Sequence, residues 1–194
     1  MMEKNSSSPS HMLSQAARSG QLELVNWLMF VGPKRYRVPI TDVLLDDAAR
    51  SGNLELLQFL MCSCRENARL CPSIQTLAMA AQSGNQAMVQ WLCEGLPVSQ
   101  RLLPNQGVLN YAAISGNKAL FQWLFAFSKN TNRSLSITQK TWRCACASGN
   151  LAFVQWLWLS FREHYLLVID HSILDAAVSS QQFPLVKWLM QEAV

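Results

Sequence analysis

Residues 13–28 read Leu13-Ser14-Gln15-Ala16-Ala17-Arg18-Ser19-Gly20-Gln21-Leu22-Glu23-Leu24-Val25-Asn26-Trp27-Leu28. The stretch holds two short apolar periodicities separated by a glycine. The first places Leu13, Ala16 and Ala17 on one helical face, and the second places Leu24, Val25 and Leu28 on another. Five further copies begin at Leu45, Leu77, Leu109, Trp142 and Leu174, spaced 32 residues apart with a single step of 33. A unit repeated at a fixed step of this length cannot bury two helices alone and must stack on its neighbours.

Each copy carries its own punctuation. Helix A is predicted to end at Gly20, Gly52, Gly84, Gly116 and Gly149, because glycine tolerates the left-handed conformation that closes a helix. Gln181 fills that position in the sixth copy, where the turn is expected to be less comfortable. Asn53, Asn85, Asn117 and Asn150 follow as N-cap candidates for helix B, and Pro184 suits a first helical turn. Upstream, Thr41, Ser73, Asn105, Thr138 and Asp170 lie four residues before the starts of copies two to six, with Ser8 placed to cap the first. Helix B also carries an aromatic ladder, Trp27, Phe59, Trp91, Trp123, Trp156 and Trp188, expected to be sealed in the core between successive repeats.

Composition agrees with a packed fold. Half of the 194 residues are hydrophobic and 14% are charged, too apolar for a disordered chain. No run approaches the roughly 18 apolar residues of a membrane span, and the start, Met1 to Pro9, lacks the apolar segment of a signal peptide. A reducing, intracellular setting and free thiols are therefore expected for Cys62, Cys64, Cys71, Cys93, Cys144 and Cys146.

No chemistry-bearing motif emerges. The cysteine pairs Cys62/Cys64 and Cys144/Cys146 are separated by one residue rather than the two usual in structural zinc sites, and Cys146 replaces a repeat alanine. His11, His164 and His171 are not spaced as metal ligands, and no phosphate loop or nucleophile elbow is present. The reading is a non-enzyme without cofactor or metal.

The run of leucine, paired alanine, Ser-Gly-Asn, Leu-Glu-Leu and Trp-Leu resembles the ankyrin repeat, over about residues 10 to 194. It is most similar to the Trp-rich variant met in amoebal viruses, intracellular bacteria and protists. It departs from the family in lacking Thr-Pro-Leu-His at helix A and Gly-Ala-Asp-Val-Asn after helix B. The resemblance implies an all-α fold, an ankyrin-like α-solenoid of six helix-turn-helix repeats of about 32 residues, occupying 9–194 after a flexible tail of 1–8. It further implies a protein-binding module (an adaptor, an inhibitor or a host-directed effector) working in the cytoplasm, its own or a host's.

The binding surface implied by that resemblance joins the exposed helix-A position before each Ser-Gly pair to the linkers that project beside it. The helix-A positions are Arg18, Arg50, Gln82, Ile114, Ala147 and Ser179, a row that runs from basic to apolar. The five linkers, 31–40, 63–72, 95–104, 127–137 and 160–169, hold nine Lys or Arg against two Glu, although the whole chain is only +4. Arg35, Tyr36, Arg37, Arg69 and Arg101 are the linker candidates, since Arg and Tyr are frequent hot-spot residues. An acidic protein is the expected partner. Contact of the same linkers with nucleic acid or anionic lipid is the alternative.

Overall fold

The computed structural model describes residues 8–34, 39–63, 71–131, 135–165 and 167–192. Among them every regular element is helical, and none is long and apolar enough to cross a membrane. The helix-A elements are α1 (Pro9–Arg18), α3 (Asp42–Ser51), α5 (Ile74–Ser83), α7 (Gln106–Ser115), α9 (Gln139–Ala147) and α11 (His171–Ser179). The helix-B elements are α2 (Leu22–Asn26), α4 (Leu54–Ser63), α6 (Gln86–Gln90), α8 (Lys118–Asn130), α10 (Leu151–Phe161) and α12 (Phe183–Glu192). The chain packs as two compact units, 1–83 with 87–102, and 84–86 with 103–194. Within the first, α3 lies against both α1 and α5; within the second, α9 lies against both α7 and α11.

The helix starts follow the capping residues. Asn105 accepts from the Val108 N–H, Thr138 from Thr141 and Asp170 from Ile173, and Thr138 and Thr141 form a reciprocal capping box. Ser8 and Ser73 act likewise toward His11 and Thr76. Thr41 is the exception: its side chain makes no cap hydrogen bond. At the other end of helix A, Gly52 and Gly116 adopt the left-handed conformation as the sequence requires, and Gln181 is forced into it, with φ of 58°.

The turn between helices A and B is also where successive repeats are tied. Asn53 accepts the Leu56 N–H through Oδ1, capping α4, while its Nδ2 donates to the Gly20 carbonyl of the preceding repeat at 2.9 Å. Asn150 does the same toward Phe153 and the Gly116 carbonyl, at 3.1 and 3.0 Å. One carboxamide thus satisfies two groups that a helix end leaves orphaned.

The core repeats with the sequence. The paired small residues let helices A approach closely: Ala48, Ala49, Ala80, Ala81, Ala112 and Ala113 are fully buried. On helix B the inward positions are those of Leu120, Phe121 and Leu124, all fully buried, and the corresponding Leu56, Leu57 and Leu60 are too. Each such leucine contributes roughly 1.5–3 kcal/mol by leaving water.

The aromatic ladder is not sealed, contrary to the sequence expectation. It falls one helical step to the side of those inward positions. Trp27 is 45% exposed, and Phe59, Trp91, Trp123, Trp156 and Trp188 are half-buried. The indoles also find different partners from their own equivalents. Trp123 stacks on Phe127, and Trp156 meets Phe121, Phe153 and Phe161. The fully enclosed indole is Trp142, which replaces the helix-A leucine and stacks on Trp158 at 5.4 Å. In α2 and α6 the last turn opens into a π-helical segment, Trp27–Val31 and Trp91–Gly95, and Gly32 and Gly95 lie directly against the Trp27 and Trp91 rings. A Cβ added at Gly95 would stand 2.6 Å from Trp91 Cδ1.

Candidate protein-binding surface

The last turn of every helix A presents one residue away from the core, just before the glycine turn. In the first unit these are Arg18, Arg50 and Gln82, and in the second Ile114, Ala147 and Ser179. All six are exposed or half-exposed, whereas the alanine or serine-glycine groups beside them are held in the turn.

The two arginines do not simply point to solvent. Arg18 Nε donates to Asp47 Oδ1 of the next helix A at 2.6 Å, and Arg50 Nη2 lies 2.8 Å from Met79 Sδ, one repeat further on. Both contacts join the same two register positions of successive repeats. Asp47 is 3% exposed, so the ion pair offsets the cost of burying its charge; the Arg18 side chain is 58% exposed. Asp47 Oδ2 has no hydrogen-bond partner among the described residues. The Asp47 residue borders a hollow of about 370 Å³ between α1 and α3, together with His11, Ser14, Gln15 and Arg18.

The second unit has a different groove, of about 420 Å³, across α7, α9 and α11. Ile114, Cys144, Ala147 and Ala176 form its floor, and exposed Arg143 and Asp175 stand at its edges. The sequence row identified Ile114 but missed these two charges, because the position after the repeat leucine varies from Ser14 to Asp175 without pattern.

The linkers are less free than their composition suggests. Arg101 Nε donates to the Leu96 carbonyl at 2.9 Å, Lys129 Nζ sits 4.9 Å above the Phe125 ring, and Arg162 lies over Trp158 and 3.9 Å from Glu192. Arg35, Tyr36, Arg37 and Arg69, named from the sequence as binding candidates, lie outside the described residues. Among the described residues, no group of three or more His, Cys, Asp or Glu is placed to hold a metal ion. Burial pushes the Cys93 and Cys146 thiols up to about 12, leaving them protonated at neutral pH and inert as nucleophiles.

A family model described as ankyrin repeats (3 copies) matches residues 45–134, which run from α3 to α8. Over residues 45–134 the chain is an array of ankyrin repeats. Its structure is similar to the human ASB11 ankyrin repeat domain, with a TM-score of 0.50 and 20% identity, over 94% of this chain and 83% of that one. A second similar chain comes from the complex of the predatory endopeptidase Bd0816 of Bdellovibrio bacteriovorus with the immunity protein Bd3460. Its TM-score is 0.46 at 21% identity, over 93% of this chain and 97% of that one. No curated protein sequence matches the chain. Ankyrin repeats form a protein-interaction scaffold, and the all-helical array of paired short helices is the form that scaffold takes here.

Proposed function

We propose that this ankyrin array is a non-catalytic adaptor or inhibitor that holds one protein partner along the helix-A row. The observation that carries the reading is the row itself. In the first unit three successive helices A bring Arg18, Arg50 and Gln82 to one outward register, and in the second three more bring Ile114, Ala147 and Ser179. The outward arginines of the first unit suit a partner's carboxylates, and the Ile114 groove of the second unit suits an apolar side chain. Of the linker cations, Arg101, Lys129 and Arg162 are already engaged by Leu96, Phe125 and Glu192, which favours a protein over a polyanion.

The test is quantitative affinity capture with the tagged chain, comparing wild type with Arg50→Glu and Ile114→Asp, and with exposed Lys140→Glu as a control away from these positions. Loss of the same partner from both row variants, with the control unchanged and circular dichroism preserved, is the expected result. Equal recovery by all four proteins would place binding elsewhere.

A further inference from the structure

The first and last repeats leave open the two halves of the joint that every other repeat closes. In the first five repeats the second small residue of helix A, namely Ala17, Ala49, Ala81, Ala113 and Cys146, is fully buried. Its counterpart in the sixth, Val178, is 58% exposed. Helix B repeats the pattern. Val25, Leu57, Val89, Phe121 and Val154 are fully buried, while Val186 is only half-buried and lines an apolar hollow of about 620 Å³ with Phe183, Lys187 and Met190.

The first repeat is open on the complementary side. Leu56, Met88, Leu120, Phe153 and Leu185 are fully buried, yet their counterpart Leu24 is 41% exposed. Leu44, Thr76, Val108, Thr141 and Ile173 are buried, yet Met12 is 39% exposed. In both the first and the sixth repeat the face where a neighbour would sit is apolar at these positions.

We infer that a second copy of this chain seats its first repeat on the last repeat of the first, extending the array head to tail. The exposed positions are those through which this sequence already joins one repeat to the next, so the proposed interface continues an existing one. One molecule carries both halves. The charges beside them are of opposite sign: Lys187 borders the hollow on α12, and α2 exposes Glu23. Because the two surfaces differ, the contact is heterologous, and each added copy leaves the next surface open.

Sedimentation velocity of the full chain over a range of concentrations tests this directly. Wild type is expected to give a series of dimers and longer species that grows with concentration. Val178→Glu removes the last-repeat surface and Leu24→Glu the first-repeat surface; both positions are exposed, so folding should survive, as circular dichroism will verify. Each variant alone should sediment as a single chain, and an equimolar mixture should stop at a dimer, since one live surface remains on each. Should either glutamate disturb the fold, Met190→Ser and Met12→Ser repeat the comparison. A wild type that stays a single chain at every concentration overturns the inference. So does a dimer that survives in one single-surface variant alone, or assembly by both variants as in wild type.

Discussion

The Asn117 carboxamide donates to the Gly84 carbonyl, 33 residues earlier in the chain, at 2.9 Å, while its own oxygen caps α8 by accepting the Leu120 N–H at 3.2 Å. The left-handed turn at Gly84, with φ of 76°, directs that carbonyl at the next repeat. One short side chain therefore connects helix termination in one repeat to helix initiation in the next.

Removing that side chain should cost more than a cap alone. Asn117→Ala is expected to lose about 1 kcal/mol for the cap and about 1 kcal/mol more for the lost inter-repeat bond. Asn117→Asp keeps the acceptor and loses only the donor, so it should fall between alanine and wild type. Urea denaturation of the three proteins gives the order; equal stability of wild type and alanine variant would show that water replaces both bonds.

Asp46 offers a prediction in pH. Burial holds its carboxyl above the ordinary carboxylate value, with Asp42 and Asp47 adding to the effect and the Thr76 hydrogen bond and Arg50 opposing it. The folded state therefore binds the proton more tightly than the unfolded chain. This contribution to stability is fully present below the unfolded value of 3.8 and is lost as pH rises through the higher folded value. Two repeats later the same position is Asn110, which accepts the Thr141 hydroxyl at 2.7 Å just as Asp46 accepts that of Thr76. Asp46→Asn should accordingly keep the bond and be more stable than wild type at pH 7, with the advantage shrinking toward pH 4. Thermal melts at several pH values decide it, and a variant less stable at pH 7 would contradict the reading.

Trp142 is fully buried, and its indole N–H has no partner among the described residues. Trp142→Ala should cost about 3–5 kcal/mol through the cavity it leaves. Trp142→Phe loses some contact with Trp158 but also removes an unsatisfied donor worth about 1–3 kcal/mol, so its net cost should be far smaller. Half-buried Trp123→Ala should rank below Trp142→Ala. Calorimetry that places Trp123→Ala lowest would show that the outer indoles carry the core after all.

At Gln181 a side chain occupies a conformation that the other five repeats reserve for glycine. Gln181→Gly should raise stability by up to about 1 kcal/mol by relieving the left-handed strain, partly offset by the extra freedom of the unfolded glycine. A higher denaturation midpoint is the expected readout, and a lower one would mean that the entropy term wins.

Local signals in the sequence revealed what is local in the fold. Helix starts at Asn105, Thr138 and Asp170 and helix ends at Gly52 and Gly116 were legible because each depends on residues within one turn. The Arg18–Asp47 and Asn117–Gly84 contacts were not, since their partners lie 29 and 33 residues apart and only stacking brings them together. Trp142 against the ladder tryptophans shows the limit of a periodic pattern. A regular aromatic column announces a repeat without saying whether it lies inside or beside the core. Of the proposed binding surface, the exposed helix-A positions were readable from register, whereas Arg143 and Asp175 became apparent only when the groove that they border was seen.

The side-chain bonds between neighbouring repeats share a further property: each reaches a single period along the chain and no further. A lesion at one such tie is consequently felt by the two layers it joins, and more distant layers feel it only through them. Such nearest-neighbour coupling is expected to let outer layers loosen before inner ones, and the left-handed closing turn at Gln181 adds to that expectation for the sixth repeat.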